Sequence, residues 1–121
     1  MILFKQEHVA PILAGTKTET RRLGDKRWNV GAVHLAKTQM FGPPFARLLV
    51  RDLWQEMLVS ISEDGAKAEG YESVAAYLPA FAAINHVSMN DAVLPFVRVW
   101  VVQFELVEAF DVELVIPAGA A

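Results

Sequence analysis

The chain contains no cysteine. That excludes disulfides, thiol nucleophiles and thiolate metal sites, and it makes an intracellular, cytoplasmic setting the expectation. Long hydrophobic runs are missing as well. Although 54% of the 121 residues are hydrophobic, charged or polar groups interrupt every apolar stretch before about 18 residues, so neither a signal peptide nor a membrane span is expected. There is no internal repeat, no low-complexity segment, no glycine-rich phosphate loop, no nucleophile elbow and no HxxxH pair. His8, His34 and His86 lie 26 and 52 residues apart in three different predicted elements. No ligand pair at short spacing supports a metal, and no cofactor is implied.

What is present fits a folded globule with one core. The length suggests a single domain over residues 1 to 121, with residues 109 to 121 peripheral to it. Net charge is −3, but it is unevenly spread. Residues 1 to 51 hold nine Lys or Arg against three acids, a net of +6, whereas residues 52 to 121 hold two against eleven, a net of −9. A basic surface on an acidic protein is one outcome of such a split, and basic surfaces attract phosphates.

Read for period, the chain begins with a short apolar strand at Met1 to Phe4 and a helix from Glu7 to Ala14, shortened or bent by Pro11. Trp28-Asn29-Val30-Gly31 reads as a turn that tucks an aromatic ring against the body, and Ala32 to Thr38 alternates as a strand. The prolines of Phe41-Gly42-Pro43-Pro44 force an abrupt connection to a long strand from Phe45 to about Leu58, with a bulge near Asp52. Ser60 or Ser62 caps a helix running to Glu69, Ser60 and Glu63 having capping-box spacing, and Gly70 stops it. A second helix, Val74 to Asn85, carries an apolar stripe and is expected to be split or delayed by Pro79. Phe96 to Glu108 is a strand with apolar residues on both faces, and Asp111 to Ile116 is a candidate edge strand before a small-residue tail. Five or six strands with three short helices, not in regular alternation, favour a mainly β, α+β architecture: a small, partly closed β-barrel with helices inserted on one side.

The densest chemistry lies in Gly15-Thr16-Lys17-Thr18-Glu19-Thr20-Arg21-Arg22. Gly15 is the residue expected just past a helix end, where a left-handed backbone is needed. If the run is extended from the start, Lys17, Glu19 and Arg21 face one way and the threonines the other. If it starts as a turn, Lys17 and Thr20 converge. Arginine forks at Arg21 and Arg22 suit phosphate or carboxylate, and Lys17 is the candidate for proton transfer because burial readily lowers a lysine pKa. Glu69 stands out among the acids, since Gly70 lets the backbone turn sharply beside it and Tyr71 can shield it from water.

These residues carry a resemblance. Ile12-Leu13-Ala14 followed by the Gly15 to Arg22 run, together with Trp28 to Gly31, the segment Ile61 to Tyr71 and the strand Trp100 to Glu105, resembles the ASCH domain, whose barrel is similar to the PUA domain of RNA-modifying enzymes. Gly15, Lys17 and Arg21 match its short G-x-K-x-x-x-R pattern, and the family is thought to bind RNA or nucleotides in a cleft lined by that region. One branch is similar to a small amidohydrolase that deacetylates the nucleoside 4-acetylcytidine with a lysine, a threonine and a glutamate. Lys17, Thr20 and Glu69 fall on that trio and Arg22 on an arginine of the branch, while the longer chain, the Phe41 to Pro44 segment and Pro79 depart from it.

The resemblance implies two readings. In the first, Lys17, Thr20 and Glu69 form a metal-independent hydrolytic site for a small acylated nucleoside. In the second, the chain is a non-catalytic or nuclease-like RNA-binding module, with Gly15, Lys17, Arg21, Arg22, Lys26 and Arg27 along single-stranded RNA and Trp28 as a stacking platform. Neither involves a membrane.

Overall fold

Two twelve-residue strands, β4 (Ala46–Met57) and β5 (Arg98–Ala109), form the long antiparallel ladder on which the other elements are hung. The sequence favours this through runs of Val and Leu that are apolar at consecutive positions, because both faces of β5 are covered. Val99 and Val101 point into a cluster with Leu58, Ile61, Ala66, Tyr77 and Phe81, whereas Val102 and Phe104 point into a cluster with Ile2, Phe4, Ile12, Trp28 and Leu48. Strand periodicity thus divides the core in two.

A computed structural model describes residues 1–110; the candidate edge strand from Asp111 to Ile116 and the terminal tail lie outside the described residues. The remaining strands are β1 (Ile2–Leu3), β2 (Glu19–Arg22) and β3 (Val33–Lys37), and the sheet order is β1-β3-β4-β5-β2. Among the described residues, only β1 and β3 pair in parallel. The sheet curls into a half-barrel with short helices, a small α+β architecture. Its register shifts between Arg47 and Leu48 and again between Val50 and Asp52, irregularities of the kind that bend a strand and increase its twist.

Helix α1 (Val9–Ala14) covers the first cluster through Ile12, and it is preceded by a 3₁₀ turn at Gln6–His8 rather than by helix from Glu7. Helix α2 (Glu63–Ala68) starts on Ser62, whose hydroxyl accepts from the Gly65 amide at 3.0 Å; Ser60 lies in a 3₁₀ turn, so the Ser60–Glu63 capping box does not form. Helix α3 (Val74–Asn85) is continuous through Pro79, contrary to the expected split. The proline removes the one bond that residue 79 would otherwise donate to the Ala75 carbonyl. Against this loss stand the Ser73 cap, accepting from the Ala76 amide at 3.1 Å, and the burial of Tyr77 and Phe81.

Two glycines shape the chain around the later site. Gly15 ends α1 with φ of 78°, and Gly70 follows α2 with φ of 97°, both in the region L-residues avoid. A Cβ at Gly70 would meet Lys17 Cβ at 3.7 Å, an ordinary contact, so backbone conformation alone sets the cost of a side chain there. Gly70→Ala is therefore expected to lower stability by about 1–2 kcal/mol, read as a lower urea midpoint with unchanged slope.

Candidate active site

Helix α1 and the end of α2 are tied to the same three residues. The Pro11 carbonyl accepts from the amides of Thr16 (3.0 Å) and Lys17 (3.1 Å), and the Thr18 amide donates to the Ala68 carbonyl at 2.8 Å. On its other side Thr18 accepts from the Phe104 amide at 2.9 Å. Lys17 thus lies in the turn before β2, and Glu69 is next to Ala68, so the two residues flank one backbone hydrogen bond. With no side chain at Gly70, the Lys17 stem passes over the chain and its amine returns to Glu69.

Lys17 Nζ meets three acceptors: Glu69 Oε1 at 3.0 Å, the Glu69 carbonyl at 2.7 Å and the Glu19 carbonyl at 3.0 Å. Lys17 is 2% exposed and Glu69 4%. The other Glu69 oxygen, Oε2, accepts from Arg21 Nη1 at 3.1 Å. Arg21 Nη1 also reaches Glu19 Oε1 at 3.0 Å, and Nη2 reaches Glu56 Oε1 at 2.9 Å. Two cations and three carboxylates therefore form one connected, largely buried network.

Strand register explains why Thr20 and Arg22 take a different direction. Thr20 lies opposite Val102 and Arg22 opposite Trp100, while Glu19 and Arg21 lie opposite Gln103 and Val101. The first pair faces the cluster containing Phe4 and Trp28, and the second faces α2. Arg22 donates from Nε to Thr20 Oγ1 at 2.9 Å and from Nη2 to the Leu3 carbonyl at 2.6 Å, with its guanidinium 5.0 Å from the Phe4 ring centroid. Among the described residues it has no carboxylate partner.

Lys17, Thr20, Arg21, Arg22 and Glu69 line one cavity of about 370 Å³. Its volume lies in the usual range for small-molecule sites. Phe4, Tyr71, Tyr77 and Phe81 supply apolar wall, Tyr71 and Tyr77 packing edge-on at 5.3 Å, while Lys5 and His8 add polar groups. Burial pushes the pKa of Lys17 down, with Glu69 opposing. Burial, then Lys17, also lower that of His8, so its imidazole is neutral at pH 7. For Arg21, burial works against the charge, but Glu69, Glu56 and Glu19 overcome it and the net direction is upward. Burial raises Tyr71 and Tyr77, with Glu69 adding to both.

Not every residue singled out in the sequence reaches this cavity. Gly15, Lys26 and Arg27 are exposed and do not line it. Trp28 is only 6% exposed and packs in the core beneath Arg22, which corrects its reading as an open stacking platform. Arg21 is turned toward carboxylates rather than offered to phosphate. Conversely, sequence reasoning passed over Glu56, His8, Tyr77 and Phe81 as site residues. Tyr77 and Phe81 read as core stripe, and no local spacing links Glu56 to Arg21, 35 residues away. Among the described residues, no three His, Asp or Glu side chains are grouped to hold a metal ion, and no helix is long and apolar enough to cross a membrane.

No family profile matches the sequence, and no curated protein matches it. Solved structures do share its fold. An ASCH domain from Lactobacillus crispatus superposes with a TM-score of 0.67 at 19% identity, over 83% of this chain and 70% of that one. A protein from Enterococcus faecalis gives 0.64 at 16%, over 89% and 71%, and a point mutant of an ASCH protein from Zymomonas mobilis gives 0.56 at 12%, over 93% and 74%. The chain has the ASCH-domain, PUA-like fold.

The network sets an order of sensitivity. Glu69→Gln leaves two buried cations facing a neutral group and is expected to cost about 3–5 kcal/mol, whereas Lys17→Met leaves Glu69 paired with Arg21 and costs less, both read by urea denaturation at pH 7. A pH effect accompanies this. Because the folded pKa of Lys17 lies below its unfolded value of 10.5, the unfolded chain holds more protons between those two pH values. The Lys17 contribution to stability is thus expected to rise with pH through that window, and the rise should vanish in Lys17→Met relative to wild type.

Proposed function

We propose that the chain is a metal-independent amidohydrolase acting on an acylated nucleoside such as 4-acetylcytidine, and thus a member of the ASCH family in function as well as fold. One observation carries the reading: a buried lysine–carboxylate pair opens on a nucleoside-sized cavity whose wall also presents a threonine hydroxyl. The Glu19 carbonyl that accepts from Lys17 belongs to the peptide joining Glu19 to Thr20, and the Lys17 and Thr20 side chains line the same cavity.

In the proposed reaction, Thr20 Oγ attacks the acyl carbonyl carbon as its proton passes to the neutral Lys17 amine. Arg22 prepares the hydroxyl, because its Nε donation occupies one Oγ lone pair and its charge favours the developing alkoxide. Arg22 Nη1 makes no hydrogen bond among the described residues, which leaves it free to receive the oxyanion. Collapse of the tetrahedral species breaks the C–N bond, and the proton on Lys17 goes to the leaving nitrogen. Water, deprotonated by Lys17, then attacks the threonyl ester; the bond from the acyl carbon to Thr20 Oγ breaks, the proton on Lys17 returns to Thr20 Oγ, and acetate is released. Glu69 keeps the amine oriented throughout. The aromatic wall suits a planar base, and burial lowers the lysine pKa, which is the direction that favours the neutral form the first step needs.

The RNA-binding alternative draws on the basic excess of residues 1 to 51, but it has less support. Lys17 and Arg21 are buried against carboxylates, so the proposed strip is reduced to Arg22, Lys26 and Arg27.

Incubation with 4-acetylcytidine should release cytidine and acetate in equal amounts, and Thr20→Ala and Lys17→Met should each reduce turnover by about 100-fold or more. Thr20→Ala turning over at the wild-type rate would sink the assignment. Binding to single-stranded RNA, followed at two salt concentrations, tests the alternative. That reading requires an affinity that falls steeply with salt and weakens in Arg22→Ala/Lys26→Ala/Arg27→Ala, and the hydrolase reading expects neither.

A further inference from the structure

Among the described residues Arg21 makes the most ion pairs, three, yet the proposed reaction does not use it. Its guanidinium is 6% exposed as a residue and lies between the cavity and a second, acidic hollow lined by Glu19, Glu56 and Asp64. Helix α2 makes room for it. Gly65 sits inside that helix although glycine there costs about 1 kcal/mol relative to alanine, and a Cβ at this position would come within 3.0 Å of Arg21 Nη2. The helix is built around the guanidinium.

We propose that Arg21 is a positioning residue that keeps Glu69 neutralised while Lys17 gives up its proton, and that Glu56, at the outer end of the same guanidinium, moderates how strongly it does so. This rests on the hydrolase reading for its catalytic consequence, but not for its physical content.

The argument is electrostatic. A buried carboxylate facing a single lysine holds the ammonium form, because deprotonation strands a lone charge away from water. Glu69 does not face a single cation. Its Oε1 takes Lys17 at 3.0 Å and its Oε2 takes Arg21 at 3.1 Å. Arginine stays charged at any working pH, whereas lysine can be driven neutral, so only one of the two partners can leave. When Lys17 loses its proton, Glu69 remains paired. Arg21 also repels the Lys17 ammonium directly, as does Arg22 from the same strand. Glu19 and Glu56 pull the other way. Each takes part of the Arg21 charge, at 3.0 and 2.9 Å, and Glu56 has the more exposed side chain at 20%. The remaining titratable groups at the cavity are Lys5 from the segment after β1, His8 from the turn before α1, Tyr71 from the loop before α3 and Tyr77 from α3. The last three are neutral at pH 7 by the direction of their shifts, and Lys5, an exposed cation, makes no ion pair with Glu69 among the described residues. None of them duplicates the arginine.

The test follows Lys17 itself, with hydrolysis beside it. The full chain labelled with ¹³C at lysine Cε has five lysines, and Lys17→Met assigns the resonance. Arg21→Gln should raise the Lys17 titration midpoint by about one pH unit or more, and activity near neutral pH should drop about tenfold and recover at higher pH by the same displacement. Arg21→Lys should restore part of the shift, since it returns the charge without the fork. Glu56→Gln, altered at a partly exposed rim, should move the midpoint in the opposite direction, and it carries the test if Arg21→Gln does not fold. A Lys17 midpoint that stays put in folded Arg21→Gln, or one that is unmoved or raised in Glu56→Gln, overturns the proposal. If wild type hydrolyses no acylated nucleoside but the midpoints move as stated, the substrate reading fails and the role of Arg21 stands.

Discussion

A single carboxylate, Glu69, holds two cations from a neighbouring segment, and most of the local architecture serves that arrangement. Burying four ionisable groups is costly unless each charge finds partners, and here every one of them does, with half-buried Glu56 as a fifth member. Lys17 uses all three of its N–H bonds, Arg21 spreads over three glutamates, and the Glu69 carboxylate divides its oxygens between them. The exception is Arg21 Nε, a buried donor with no partner among the described residues. Such a network is a poor source of stability compared with an apolar core, so its presence on the wall of a cavity points toward chemistry rather than toward folding.

The sheet makes the arrangement possible by putting the site at an edge. Strand β2 is the outermost strand beside β5, and its lead-in is paired on one side with Phe104 and on the other with the end of α2. Strand alternation then sorts the polar run by direction. Thr20 and Arg22 face the cluster containing Phe4 and Trp28, while Glu19 and Arg21 face α2. Lys17 belongs to neither set, because the chain is still turning when it passes. This is the physical reason that an amine three residues before Thr20 ends on the same cavity, although strict extension would have sent the two side chains to opposite faces.

Much of this was legible in the sequence. The unbroken apolar character of residues 99 to 102 implied a strand covered on both sides, Gly15 implied a left-handed helix end, and the Gly15 to Arg22 run with Glu69 was the densest chemistry available. Pro79 misled, because its local cost was weighed without the burial of Tyr77 and Phe81 that tertiary packing supplies. Trp28 misled in the other direction. An aromatic beside a basic loop looks like a platform for a base, but its ring is consumed by the core and roofed by Arg22.

The sequence by itself determined the inventory of reactive groups, the positions of the turns and the two-sided strand, since these rest on residue type and short-range period. Only the tertiary structure decided which charges neutralise which. Lys17 meets Glu69 across 52 residues and Arg21 meets Glu56 across 35, and no local pattern encodes either contact. The same eight-residue run would serve as a phosphate-binding strip if its cations were left in water. Burial against three glutamates brought from β2, β4 and the end of α2 turns it instead into a set of paired charges.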